Sequence, residues 1–265
     1  MDQEIFNLKD RVAIVTGATS GIGRAVAVGF ANFGANIVVV GRDLDRAKAV
    51  SGQIEKIGRK NLIVRTDVVN PNDVTSMVNR TLDEFGRIDI LVNAAGIARI
   101  EGSAEDLSEQ DWDDTMSINL KGTFLCAKAV APSMIKQKKG KIINFASTDG
   151  IIGVPHEAAY CASKGGIIAL TKTLAVEWAK HNICVNAIAP CDVETEMYHN
   201  WIRILGKGYA DYARNRTPLS RVRGTIPQPD DVASAAVFLA SDASNWITGH
   251  TLCVDGGSTT TEKTY

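Results

Sequence analysis

Short, unbroken apolar runs recur along the chain, and most are followed by a stretch with helical spacing. The runs are "RVAIVTG", "ANIVVVGR", "NLIVRTDV", "DILVNAAG", "GKIINFAS", "ICVNAIAP" and "HTLCVDGG". They are rich in Val and Ile and do not alternate with polar residues, the pattern of strands buried on both faces of a parallel sheet. Between them, "GIGRAVAVGFANFG", "LDRAKAVSGQIEKIG" and "PNDVTSMVNRTLDEFG" read as helices, with Gly34 and Gly86 as stops and Pro71 near a start. "SEQDWDDTMSINLKGTFLCAKAVAPSMIKQ" is long enough for two helices or one bent helix. "AAYCASKGGIIALTKTLAVEWAK" and "PDDVASAAVFLAS" complete the helical set. Strand and helix in alternation predict an α/β fold, a doubly wound parallel sheet with helices on both faces and right-handed crossovers. Ligands of such sheets bind beyond the carboxyl ends of the strands, which here are Thr16, Gly41, Asp67, Asn93, Ser147 and Pro190.

Composition narrows the picture little. With 45% hydrophobic and 22% charged residues and no linker-like break, the 265 residues are expected to form one domain. A net charge of −1 gives no case for nucleic acid or a membrane surface. No run approaches a membrane span, and "MDQEIFNLKDRVAIV" lacks the features of a secretory leader, so a cytoplasmic location is expected. The five cysteines are scattered and form no C-x-x-C pair, so neither a disulfide frame nor a metal site is expected.

The turn after the first strand, "TGATSGIG", places Gly17, Gly21 and Gly23 ahead of a helix. Glycine lets backbone approach a ligand closely, and a helix N-terminus suits a pyrophosphate. The spacing G-x-x-x-G-x-G differs from the usual dinucleotide fingerprint, so a plain tight turn is the alternative. At the end of the second strand an acid would hold the ribose 2′-OH of NAD, whereas an Arg would accept the 2′-phosphate of NADP. Gly41 and then Arg42 occupy that place, which favours NADP(H). Asp43 and Ser20 argue the other way and leave NAD(H) open. Further on, "YCASKGGI" puts Tyr160 and Lys164 one helical turn apart on one face, followed by two adjacent glycines. That pair costs roughly 1 kcal/mol per residue against alanine and calls for a compensating close approach or room for a ligand.

In order and spacing, "TGATSGIG", "NAAG", Asn119, Ser147 and Y-x-x-x-K resemble the short-chain dehydrogenases/reductases, from about Asn7 to Ser258. The resemblance implies a Rossmann-like, NAD(P)-dependent oxidoreductase, commonly a homotetramer or homodimer. Gly17, Gly21 and Ile22 would line the pyrophosphate, with Ser20 beside them. Asp67 and Val68 would contact the adenine, and Asn93, with Ala94 and Gly96, the adenine ribose side. Tyr160 would be the acid/base, Lys164 its activator, Ser147 a second donor to the carbonyl, and Asn119 the support of a water relay to Lys164. After the sixth strand, "PCDVETEM" matches a P-G-x-x-x-T-x-M pattern, implying cofactor contacts from Pro190, Val193 and Thr195; Cys191 stands where glycine is usual. Without the resemblance, Ser147 reads as a turn cap, Asn119 as a buried amide and Tyr160 as an interface tyrosine.

The chemistry implied is the interconversion of a secondary alcohol and a ketone. A phenol with a pKa of about 10 is a poor base, and a nearby ammonium is expected to lower that value. Residues of about 195–225 read as a substrate lid. Their Arg203, Lys207, Arg214, Arg216, Arg221 and Arg223, against Asp211, read either as a solvated surface or as a site for an anionic substrate. Asp149, His156, Glu157 and Asp192 are candidates for hydrogen bonds to a polyhydroxylated substrate. "FNLKDRVAIVTG" with "VVGRD" resembles both gluconate-type sugar-acid dehydrogenases and 3-oxoacyl-carrier-protein reductases. A polyol or sugar-acid oxidoreductase is the first expectation, a carrier-protein or other carbonyl reductase the second, and a non-enzymatic cofactor-binding sensor the third. Ile168, Leu170, Leu174 and Trp178 exceed one buried stripe, which points to a helix packed against a second subunit.

Overall fold

The apolar runs form a parallel sheet of seven strands: β1 (Val12–Thr16), β2 (Asn36–Gly41), β3 (Asn61–Arg65), β4 (Ile90–Asn93), β5 (Gly140–Phe145), β6 (Ile183–Pro190) and β7 (Thr251–Val254). The computed structural model describes residues 3–99 and 102–260; Met1, Asp2, Ile100, Glu101 and the last five residues lie outside the described residues. The strand order is β3-β2-β1-β4-β5-β6-β7. Successive residues of a strand face opposite layers, which explains the unbroken apolar runs. Ala13, Val15, Ile37 and Val39 pack in one core with α1 (Gly21–Asn32), α2 (Leu44–Lys56) and α10 (Pro229–Ala240). Val12, Ile14, Val38 and Val40 pack in another with α3 (Pro71–Phe85), α5 (Gly122–Gln137) and α6 (Ala158–Trp178).

Turn chemistry sets the helix ends where the sequence placed them. Gly34 (φ 95) follows α1, and Gly86 (φ 72) caps α3, whose N-cap Asn70 accepts from Asn72 N ahead of Pro71. The long stretch from 109 resolves as α4 (Glu109–Thr115), a π-helical turn (Met116–Lys121) and α5 without a break. A π turn inserted in an α-helix commonly marks a functional position, and this one holds Asn119. The segment after β6 is not an open loop but three short helices, α7 (Glu196–Leu205), α8 (Lys207–Arg216) and α9 (Pro218–Arg223).

The strand ends are level where the order reverses: Thr16 is in register with both Val40 and Asn93, and Asn93 with Asn144. That reversal between β1 and β4 opens the crevice expected of a doubly wound sheet. Among the described residues, no helix is long and apolar enough to cross a membrane.

Candidate active site

Two adjoining cavities lie beyond the carboxyl ends of the strands. They share Ile22, Ala94, Gly96, Ile97, Thr195 and Met197, and so form one elongated cleft. At one end lie Gly17, Ser20 and Gly21, with Arg42, Asp67 and Val68. At the other lie Ser147, Tyr160 and Lys164, with Asp149, Pro190, Asp192 and Val193.

The glycine loop packs tightly on the backbone that follows β4. Gly17 has φ 66, and a Cβ there would stand 2.8 Å from Ala94 O and Ala95 N. Ser20, the N-cap of α1, makes no side-chain cap, so no side chain covers the first-turn N–H groups. Gly41 is closed to any side chain, since a Cβ would meet Thr19 Cγ2 at 2.5 Å; no acid can occupy that strand end without displacing Thr19. Arg42, exposed, lines the cleft beside it. Asp43, which argued for NAD in the sequence, is engaged elsewhere: its carboxylate caps α2 by accepting from Asp45 N and Arg46 N. Asp67 and Val68 lie on the wall, Val68 pressed so closely on Gly122 that a Cβ there would be 2.7 Å away. The N-terminus of α1 beside Gly21 at one end and Arg42, Asp67 and Val68 along the wall fit a nicotinamide dinucleotide.

Two predicted residues are near the cleft but not among the residues lining either cavity. Asn93 Nδ2 donates to Asn144 Oδ1 at 2.9 Å, tying β4 to β5. Asn119 is fully buried: its Nδ2 donates to Ile97 O and Ser163 Oγ, and its Oδ1 accepts from Ile97 N. It thereby pins the strand-end loop that carries Gly96 against α6. His156 is exposed, with φ 64, and is not among the cavity-lining residues.

Ser147, Tyr160 and Lys164 do converge. Ser147 is hydrogen-bonded to Tyr160 and also caps the following 3-10 turn by accepting from Asp149 N. Lys164 Nζ donates to Phe145 O at 2.8 Å and stands 5.5 Å from the Tyr160 ring centroid. The electrostatics differ from the expectation that Lys164 would lower the phenol. Burial raises the Tyr160 pKa, Asp149 raises it further, and only the Ser147 hydrogen bond among the leading causes opposes them. Lys164 is itself pushed down to about 8 by burial, against the pull of Asp149. Burial, and after it the charge of Asp149, therefore hold Tyr160 as a phenol.

Of the paired glycines of α6, Gly166 answers to close approach, while a Cβ on Gly165 would meet only Gly150 O, at 3.4 Å. A Cβ on Gly166 would come within 2.7 Å of Leu120 Cδ2 in the π turn. The turn carrying Gly150 crosses α6 so closely that a Cβ on Gly150 would be 2.6 Å from the Lys164 carbonyl carbon. Cys191, in the place where glycine is usual, is not among the described residues with positive φ, so its backbone does not require glycine.

The far wall was largely hidden in the sequence. Tyr198 and Trp201 of α7 and Tyr209 and Arg216 of α8 line it, opposite Glu157. Arg216, its side chain only 6% exposed, pairs with both Asp149 and Asp192. Tyr209 Oη donates to Asp192 Oδ1 at 2.7 Å. The other five cations of this segment are exposed and do not line the cleft.

Known proteins are similar over nearly the whole chain. A family model described as enoyl-(acyl carrier protein) reductase matches residues 17–259. A D-threitol dehydrogenase of Mycolicibacterium smegmatis is 42% identical, the match covering 96% of this chain and 95% of that protein. A 2-dehydro-3-deoxy-D-gluconate 5-dehydrogenase of Dickeya dadantii is 41% identical, over 95% of this chain and 96% of that protein. A crystal structure of a short-chain type dehydrogenase/reductase from Mycobacterium marinum superposes with a TM-score of 0.90 at 34% identity, covering 97% of this chain and 99% of that one. Sheet, cleft and relatives together define an oxidoreductase acting on CH–OH groups. The chain belongs to the short-chain dehydrogenase/reductase family, whose members use nicotinamide dinucleotides.

Proposed function

We propose that the protein interconverts a secondary alcohol and a ketone, on a polyol or sugar-acid type of substrate, with Tyr160 as acid/base. What carries this reading is the convergence of Ser147, Tyr160 and Lys164 at one end of a cleft whose other end is the glycine loop. When bound, the nicotinamide supplies the hydride acceptor or donor. Ser147 holds the substrate oxygen, and Tyr160 gives or takes the proton at its phenolic oxygen. Lys164 places its ammonium beside the Tyr160 ring without overcoming the raised phenol, and Asn119 positions the loop and helix around it. Because the raised pKa keeps Tyr160 protonated at neutral pH, the residue is set to donate in ketone reduction, and alcohol oxidation should accelerate as pH rises.

Gly17, Ser20, Gly21 and Ile22 would hold the pyrophosphate. Asp67, Val68, Asn93, Ala94 and Gly96 would serve the adenosine half, and Pro190, Val193 and Thr195 the nicotinamide half. Arg42 beside the closed position 41 supports NADP(H) over NAD(H). Arg42→Ala should therefore weaken NADPH by about tenfold, the scale of a lost charge-assisted hydrogen bond, and leave NADH nearly unchanged. Equal effects on the two would reject the preference. We also read one domain carrying both sites, with residues of about 195–225 as its lid, working as a cytoplasmic oligomer.

A screen of polyols, sugar acids, hydroxy esters and their ketones against both nucleotides tests the reading. Hydride transfer with at least one hydroxylated substrate is expected. No transfer with any of them, despite nucleotide binding, would leave a cofactor-binding sensor.

A further inference from the structure

We propose that this cleft selects a neutral polyhydroxylated substrate and rejects substrates that carry a carboxylate. The inference rests on the dehydrogenase reading above and chooses between the polyol and the sugar acid that it leaves together.

The charge of the cleft carries it. The ionisable acids and bases on the wall around Tyr160 are Asp149, Glu157 and Asp192 against Lys164 and Arg216, an excess of one negative charge. Neither cation stands unpartnered. Lys164 lies inside, its ammonium donating to Phe145 O. Arg216 is the one lid cation that reaches the cleft, and both of its terminal nitrogens face carboxylates, one at Asp149 and the other at Asp192. Its charge is neutralised twice over before any substrate arrives. The basic stretch that reads in sequence as an anion site is thus divided in space. Its exposed members face solvent, and its buried member is committed to two aspartates. A carboxylate brought here would be desolvated beside like charges, a juxtaposition that interfaces use to reject wrong partners.

Hydroxyl groups meet the opposite situation. An ionised carboxylate has about four acceptor sites. Asp192 accepts from Tyr209, Arg216 and its own backbone N–H, and Asp149 from Arg216, Ser147 and Thr148, so of about four acceptor sites each retains one for a donor from the substrate. Trp201 and Tyr209, with ring centroids 5.5 Å apart and planes tilted by 35°, and the neighbouring Tyr198 give the carbon chain of a polyol an aromatic wall. A long acyl chain gains from that surface too, but it would leave buried acids facing methylenes, which is costly.

The test compares matched pairs with the purified full-length protein: threitol against threonate and glycerol against glycerate, with NAD and NADP in excess. The polyols are expected to be oxidised with kcat/KM about 100-fold or more above the acids. Asp192→Asn should narrow that ratio by about tenfold, mainly by improving the acid, because it removes one repelling charge and leaves Arg216 with a single partner. The wild-type comparison stands whether or not the variant folds. Acids oxidised as well as the polyols, or better, would overturn the inference and leave the dehydrogenase reading standing. Reduction of a 3-oxoacyl thioester without polyol turnover would do the same. A Tyr160→Phe protein with undiminished turnover would instead strike the dehydrogenase reading itself.

Discussion

Asp149 is the residue on which the electrostatics of the site turn. It accepts from Ser147, pairs with Arg216, and its negative charge raises both Tyr160 and Lys164. Neutralising it as Asp149→Asn should lower both values, because a negative charge disfavours the phenolate and favours the ammonium. In alcohol oxidation the acid limb of the kcat/KM profile, which follows loss of the phenol proton, should then move to lower pH. A profile that stays in place or moves upward would show that Tyr160 does not sense this carboxylate. None of this was legible in the sequence. Tyr160, Lys164 and Ser147 could be named from spacing and resemblance, but Asp149 stood there only as a candidate hydrogen-bonder. Spacing carries no information on burial, and burial is the largest cause acting on both the phenol and the ammonium. Arg216 was misleading for the same reason: among six cations in one stretch, nothing local marks the one that folds inward.

At the scale of elements, α6 is held by two crossings that differ in how far they can give. Gly166 faces the methyl end of Leu120, which can rotate, and alanine there recovers roughly 1 kcal/mol of helix propensity. Gly150 faces the backbone of Lys164 and Gly165, which cannot move without shifting the catalytic face. Gly166→Ala should therefore change stability by no more than about 1–2 kcal/mol, and Gly150→Ala should cost about 3 kcal/mol or more, by thermal or denaturant unfolding. The reverse ranking would contradict the packing described. The strands and main helices were legible because unbroken apolar runs and capping residues are local signals. The π turn at Met116–Lys121 was not, since its inserted residue leaves apolar spacing almost unchanged, and it surfaced only as a choice between two helices and one bent helix. The helices α7–α9 were masked by their charge and by Gly206 and Pro218.

For the whole molecule, the apolar excess read on α6 is mostly used within the chain. Leu174 is buried, Leu170 and Trp178 pack on the same core, and Ile168 packs on a small cluster with Ile167. What remains open to solvent is Val176, 80% exposed on α6, and Phe124, 39% exposed on α5. If these helices pair between subunits, sedimentation should give an assembly two or more times the 28.4 kDa chain; a monomer would remove that part of the proposal. The central claim concerns one cleft joining a dinucleotide cradle to a proton-transferring tyrosine. Its most direct test is Tyr160→Phe, assayed for nucleotide affinity and for turnover of the best substrate. Nucleotide affinity within about twofold of wild type, with turnover reduced by about 100-fold or more, is the expected result. Turnover comparable to wild type would contradict the account.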